Sequence, residues 1–361
     1  MKFSEAISTI ELILESGSVP LIIGEAGIGK TSLVKKICKS NSYYLVNIDA
    51  NLLKEGEIGG LPIVEDGRTK YATHYKLIEM KEAIINYNYN GVLLFIDELN
   101  RCEHAVQQEL MNLILNREIN GYKLDDSIKI VAAMNPSNKY DGFEDSEYQV
   151  VDMDKAQEDR FVWIELDSDI KEWIKWAMSE DGNVNENIIE FLSTFPEYLN
   201  TPNSNESIKA TPRSWERVAK AYNIYMKNSN NYSIDIFYNV VKGNVGVSIA
   251  TDFINYIKNI KNQLIKPKDL FEYIILPIEV KEEIRKESHS RLYILAKNSL
   301  RYLEENNTEN NRKLFGDLLI CYPKDLRLGI MKEIKSDSSE RLYKDLLNED
   351  TFLDAFFNIF Q

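Results

Sequence analysis

The chain has 361 residues, 44% of them hydrophobic and 28% charged, with a formal net charge of −14. That is the balance of a soluble protein with room for two or three domains, and no Lys/Arg block of the kind that grips a nucleic-acid backbone stands out in it. Cys38, Cys102 and Cys321 lie too far apart for a metal site and are odd in number, which argues against a disulfide framework and fits a reducing, cytoplasmic setting. The opening stretch carries Glu5, Glu11 and Glu15 and does not read as a signal peptide. No apolar run approaches the ~20 residues of a membrane span.

Ser4 reads as the cap of a first helix, with Ile7, Ile10 and Leu14 at helical spacing and Gly17 as its stop. Val19–Ile23 is a short buried strand, followed by a glycine-rich loop and a helix through Cys38. Tyr44–Ile48 predicts a second strand. Residues 61–64 and 70–73 flank Asp66-Gly67, a hairpin signature. A helix is expected over Leu77–Tyr87. Gly91–Ile96 has no polar interruption, as in a parallel sheet covered on both faces. Val106, Leu110, Leu113 and Ile114 mark the next helix, and Asn120-Gly121 a second hairpin. Strands are expected at Ile128–Met134 and Phe161–Leu166. From about residue 168 the pattern is helical. The strand–helix alternation predicts an α/β parallel-sheet core over 1–166. Beyond it, an α-helical lid is expected over 167–262 and a further α-helical region over 263–361.

Gly24-Glu25-Ala26-Gly27-Ile28-Gly29-Lys30-Thr31 matches G-x-x-x-x-G-K-[ST], the Walker A or P-loop motif, between a strand and a helix. Glycines let backbone N–H groups turn inward around a phosphate, and the following helix adds its positive end. Lys30 is expected to neutralise the β- and γ-phosphates of ATP and Thr31 to ligate Mg²⁺, with the binding segment continuing to Ser32. Val92–Ile96 delivers Asp97 and Glu98 to the carboxyl end of a strand, where open α/β sheets bind ligands. Asp97 is placed as a Mg²⁺ residue and Glu98 as the group that polarises the attacking water. Asn135, after the apolar Ile130–Met134, is placed to orient the same water. Arg160 precedes the fifth strand, where an arginine of a ring ATPase can reach the neighbouring subunit's γ-phosphate. Pro212 starts a helix and aims Arg213 toward the nucleotide.

The order G-x4-GKT, Ile96–Arg101 (IDELNR), MNP, DRF and TPR resembles the AAA+ ATPases, and within them the MoxR-like group of the helix-2-insert clade. Gly56–Thr73 is similar to that group's inserted hairpin, Ala133–Leu166 to its sensor-1-to-finger stretch, and Lys242–Phe253 to a lid segment. The resemblance covers about residues 1–260. It implies ATP and Mg²⁺ as cofactors and a homo-oligomeric, hexameric ring. Asn135 then corresponds to sensor 1, Arg160 to the finger and Arg213 to sensor 2, with Arg101 a second candidate for contacting the neighbour. It further implies a chaperone-like remodeller of a protein with a von Willebrand factor A domain. A departure is Val151–Phe161, where many relatives read PLPEAQLDRF; this implies an altered finger loop.

The alternative is a nucleotide-driven motor of a restriction system, resembling the McrB protein, which would require nucleic acid as partner. Asn138-Lys139-Tyr140-Asp141 spells N-K-x-D, a guanine-reading motif, but the D-x-x-G that accompanies it in GTPases is missing at Asp97–Asn100. His74 and His104 read as neutral loop or capping residues. The apolar end with Phe352, Phe356, Phe357 and Phe360 either packs on its own domain or docks a partner as an amphipathic helix.

Overall fold

The computed structural model describes residues 1–86, 89–140, 143, 148, 150–228, 230–259 and 265–357. They form two compact units, Met1–Asn183 with Glu197–Ala250, and Val184–Pro196 with Thr251–Gln361.

The first unit holds a five-stranded sheet of β1 (Val19–Ile23), β2 (Tyr43–Asp49), β5 (Gly91–Asp97), β8 (Ile128–Met134) and β9 (Phe161–Glu165), in the order β2-β5-β8-β1-β9. Every pairing in it is parallel. The side chains of these strands alternate between two apolar layers, because successive residues of a strand point to opposite faces. Leu21, Leu94, Ile96, Ile130 and Ala132 join one layer; Ile22, Leu93, Phe95, Val131 and Ala133 join the other. Helices α1 (Phe3–Glu15) and α2 (Lys30–Asn41) supply Ile10, Leu14, Leu33 and Ile37 to the second layer. Helices α3 (Tyr75–Asn86) and α4 (His104–Asn116) supply Leu77, Met80, Leu110 and Leu113 to the first. An uninterrupted apolar run such as Val92–Ile96 needs cover on both faces, and these layers supply it.

Both expected hairpins are present. β3 (Pro62–Glu65) pairs antiparallel with β4 (Arg68–Tyr71) around Asp66 (φ 53°) and Gly67 (φ 71°). β6 (Glu118–Ile119) pairs with β7 (Tyr122–Lys123) around Asn120 (φ 48°) and Gly121 (φ 85°). Two consecutive positive φ values are what a type I′ turn requires, and Asp-Gly and Asn-Gly accept them most readily. The first helix starts earlier than Ser4: Glu5 accepts the Lys2 N–H, and the Ser4 hydroxyl instead donates to Glu172 at 3.1 Å. Helix α3 likewise starts at Tyr75, two residues before the expected Leu77. Tyr87, its expected end, lies outside the described residues.

The chain continues through the short α5 (Lys155–Glu158), then α6 (Ile170–Ala177), α7 (Glu186–Thr194), α8 (Pro212–Lys227), α9 (Ile234–Val245) and α10 (Val247–Asn259). The segment 167–262 is divided between the units: α6, α8 and α9 lie in the first, α7 in the second. The second unit is helical among its described residues, with α11 (Pro267–Leu270), α12 (Ile278–Lys286), α13 (His289–Glu305), α14 (Glu309–Ile320), α15 (Lys324–Asp337), α16 (Glu340–Leu347) and α17 (Asp350–Phe357). Arg291 of α13 crosses its interior, donating to Glu190 of α7 at 2.9 Å and to Glu287 at 2.5 Å. A charge removed from water is tolerated only when paired in this way. No helix among the described residues is long and apolar enough to cross a membrane.

Part of the apolar C-terminal segment packs on its own unit. Phe352 is buried and stacks on Phe315 of α14, with ring centroids 6.4 Å apart, while Phe357 stays 59% exposed. Phe360 lies outside the described residues. The backbone of α17 approaches Gly316 so closely that a Cβ there would stand 2.6 Å from the Phe352 nitrogen. Gly316→Ala is therefore expected to destabilise the second unit by about 1–3 kcal/mol, the usual cost of overpacking, despite the better helix propensity of alanine. Urea denaturation followed by far-UV circular dichroism measures this.

Candidate functional site

Strand β1 ends at Ile23, and the chain turns through Gly24–Gly29 into α2. Gly27 (φ 81°) and Gly29 (φ 111°) take left-handed conformations that side chains other than glycine's disfavour. At Gly27 a second constraint applies, since a Cβ would stand 2.8 Å from the Thr211 hydroxyl.

Lys30, the first residue of α2, turns back into the loop and is only 8% exposed. Its ammonium donates to the Gly24 carbonyl at 2.6 Å and to Asn135 Oδ1 at 3.0 Å. Burial pulls its pKa down to about 8, against the opposing pull of Asp97, Glu25 and Glu98; the Arg213 charge pushes it lower still. The next residue, Thr31, donates its hydroxyl to Asp97 Oδ2 at 3.0 Å. Ser32 is exposed on α2.

Asp97 closes β5, and its Oδ1 accepts the Glu98 N–H at 3.0 Å. Glu98 has φ 54°. A left-handed non-glycine residue costs on the order of 1–3 kcal/mol, and such strain collects at functional positions. Arg101 lies 3.3 Å from the Glu98 carboxylate. On the neighbouring strand, Asn135 follows Met134 at the end of β8 and is 2% exposed. Its side-chain nitrogen is buried and makes no hydrogen bond to any described residue.

Asn100, which sequence reasoning left without a role, joins the two strand ends. Its amide donates to the Asn135 carbonyl at 2.8 Å and accepts the Asn135 N–H at 3.2 Å. The only sequence signal was its place within Ile96–Arg101. Tyr148, equally unassigned, reaches the phosphate loop from the segment after β8. Its hydroxyl donates to Glu25 Oε2 at 2.7 Å and accepts the Ala26 N–H at 3.0 Å. Beside it opens a cavity of about 560 Å³, whose walls include Glu25, Ala26, Ile28, Tyr148, Asp167 and Thr211.

Arg213 stands in the first turn of α8, capped by Thr211, whose hydroxyl accepts the Ser214 N–H at 3.1 Å. The Arg213 N–H donates to the Gly27 carbonyl at 3.1 Å, fixing this helix start against the loop. Arg160 is not brought to the group. It is exposed and precedes Phe161, which pairs with Val19 at the start of β1. Five residues of strand, about 16 Å, separate that end of the sheet from the glycine loop. Within Val151–Phe161, the segment expected to depart from the resemblance, Lys155–Glu158 forms the one-turn helix α5, capped by Asp154.

Within N-K-x-D, Lys139 pairs with Asp152 at 2.5 Å, and Asp141 lies outside the described residues. His74 is held below its usual pKa by burial and accepts the Lys76 N–H at the start of α3. His104 approaches Gln108 at 3.4 Å.

Residues 20–161 match the family model described as AAA domain (dynein-related subfamily). No curated protein matches the chain. Among solved structures, similar chains include a candidate ATPase from Cytophaga hutchinsonii at 17% identity and TM-score 0.36, over 72% of this chain and 89% of that one. The RuvB Holliday junction branch migration motor of Thermotoga maritima aligns at 18% identity and TM-score 0.32, over 75% and 74%. NtrX from Brucella abortus in complex with ADP aligns at 13% and TM-score 0.33, over 92% and 68%.

A phosphate beside Lys30 favours its charged form, so anion binding and protonation of Lys30 reinforce each other. With the free lysine near pKa 8, affinity for a nucleotide is expected to be greatest below pH 8. It should fall as the pH rises through that value, by at most about tenfold per pH unit. Titration calorimetry between pH 6.5 and 9.5 measures this, and Lys30→Arg, which does not titrate there, should flatten the profile.

Proposed function

We propose that the protein binds ATP at Gly24–Ser32 and hydrolyses it as a ring-forming AAA+ ATPase. The supporting observation is the convergence of Lys30, Thr31, Asp97, Glu98 and Asn135 at the carboxyl ends of β1, β5 and β8. The family match over 20–161 points the same way.

The residues fit a triphosphate with Mg²⁺. Lys30 supplies a buried cation, and Asn135 a buried donor with an open bond. The Thr31 hydroxyl and Asp97 carboxylate form a pair of hard oxygen ligands. Mg²⁺ characteristically takes one or two such groups and completes its shell with phosphate and water. When bound there, it would neutralise charge on the transferred phosphoryl group. Glu98 then accepts the proton of the attacking water while Asn135 orients that water. The new bond joins the water oxygen to the γ-phosphorus, the bond to the β-phosphate oxygen breaks, and ADP leaves.

Arg160, remote from its own loop, is assigned to the neighbouring subunit's nucleotide, with the 167–262 segment carrying Arg213 as the lid. The biological role follows the MoxR-like resemblance: a hexameric remodeller of a partner with a von Willebrand factor A domain.

Glu98→Gln is expected to retain nucleotide and lose turnover by about 10²–10⁴-fold, the worth of a general base. Lys30→Ala should weaken nucleotide binding by about two orders of magnitude or more, because it strips the site of its buried cation. Phosphate-release assays and titration calorimetry separate the two effects. Arg160→Ala should leave binding intact and lower turnover of the assembled protein by about 10³-fold or more. A Glu98→Gln pull-down from host cells with ATP tests the role. Recovery of a von Willebrand-type protein supports it; recovery of a nuclease with DNA would replace it with the McrB-like reading.

A further inference from the structure

Resting on the nucleotide-binding reading above, we propose that Tyr148 is a nucleotide-positioning residue outside the motif set. Its hydroxyl sets the first turn of the phosphate loop, and its ring forms a wall of the nucleoside cavity. None of the five motifs contains it.

The geometry carries two separate functions. The first is the hydroxyl, which makes two bonds to adjacent residues of the loop. Donating to Glu25 Oε2 and accepting from Ala26 N–H, it fixes both the direction of the carboxylate and the orientation of the Glu25–Ala26 peptide. The carboxylate matters because Glu25 lies within electrostatic range of Lys30. An acidic side chain free to swing toward the phosphates would repel them. Held by Tyr148, it is kept on the cavity side of the loop, where it contributes to the wall.

The second function is steric. Tyr148 lines the 560 Å³ cavity together with Phe143 and Ile28, and the steric part is assigned to its ring. Polar groups share the wall, among them Glu165, Asp167, Asn200 and Lys209, and polar groups set among apolar ones are what orient a small molecule in a pocket. The cavity adjoins the phosphate loop, and Thr211, the cap of the helix that presents Arg213, also borders it. A nucleotide with its phosphates on Gly24–Thr31 therefore places its remaining atoms within reach of this ring. Burial raises the phenol to a pKa of about 12, so the hydroxyl stays a donor at physiological pH.

Two substitutions separate the functions. Tyr148→Phe keeps the ring and removes the hydroxyl; Tyr148→Ala removes both. Binding of N-methylanthraniloyl-ADP and its ATP counterpart is followed by fluorescence on the full-length protein, with Lys30→Ala as reference and thermal melting as the check on folding. Tyr148→Phe is expected to bind both nucleotides about three- to tenfold more weakly, the range set by one or two lost hydrogen bonds. Tyr148→Ala should lose a further several-fold, and in both variants KM should rise more than kcat falls. Binding within twofold of the wild type in both variants would overturn the assignment while leaving the ATPase reading intact. Tighter binding by Tyr148→Phe would also overturn it, by making the hydroxyl a competitor of the nucleotide. If the wild type itself binds neither nucleotide, both the assignment and the reading beneath it fall.

Discussion

Parallel pairing of β1, β5 and β8 is the constraint on which the site depends. In a parallel sheet all strands run the same way, so three adjacent strands end on one edge. Here β1 pairs Ile23 with Met134, and β5 pairs Ile96 with Ala132. The residues next in chain after Ile23, Ile96 and Met134 must therefore emerge side by side, and these are the glycine loop, Asp97-Glu98 and Asn135. The interior that holds this register is the pair of apolar layers on the two faces. The chemistry is thus positioned by side chains that take no part in it.

At that edge the polar groups hold one another. Asn100 clamps the Asn135 backbone from both sides, Thr31 bridges to Asp97, and Lys30 bridges the loop to Asn135. Buried polar groups are costly unless satisfied, so a network of this kind either forms whole or weakens the fold. One donor is left over, the Asn135 side-chain nitrogen. The Glu98 backbone stays in a conformation that costs energy. Both lie at the strand ends where the motifs converge, although unsatisfied buried atoms occur elsewhere among the described residues too, Ser299 and Tyr322 of the second unit included.

Most of this architecture was legible in the sequence, for identifiable reasons. The strands of the sheet are short apolar runs with turn residues on either side, and the two hairpins have Asp-Gly and Asn-Gly at positions that demand positive φ. The glycine loop has its residue types at fixed spacing because the backbone path admits few others. What escaped was long-range. Tyr148 meets Glu25 across more than a hundred residues of chain, and nothing in its neighbourhood marks it. Asn100 lies inside a recognisable motif, yet its partner is on another strand. The division of 167–262 between two units was hidden for a related reason: an amphipathic helix such as α7 advertises an apolar face, not the helix it will meet.

The same long-range bonding joins the two hairpins to each other and the first of them to α4. The β3–β4 hairpin has all of its strand residues exposed, Val64 at 81%, and is anchored through its base, where Ile58 is fully buried in the first apolar layer. Hydrogen bonds to the α4 region hold the same base. Glu109 of α4 accepts the Gly56 N–H at 2.8 Å, and Asn120 of the second hairpin donates to the Gly59 carbonyl at 2.8 Å. Helix α4 begins six residues after Glu98, and the Cys102 thiol between them packs back on the Leu99 carbonyl. A shift of the Glu98 turn therefore has a short covalent path to α4, and from α4 a hydrogen-bonded path to both hairpins. The base of the β3–β4 hairpin is thus bonded to the helix that follows, in the chain, the residue proposed to activate water.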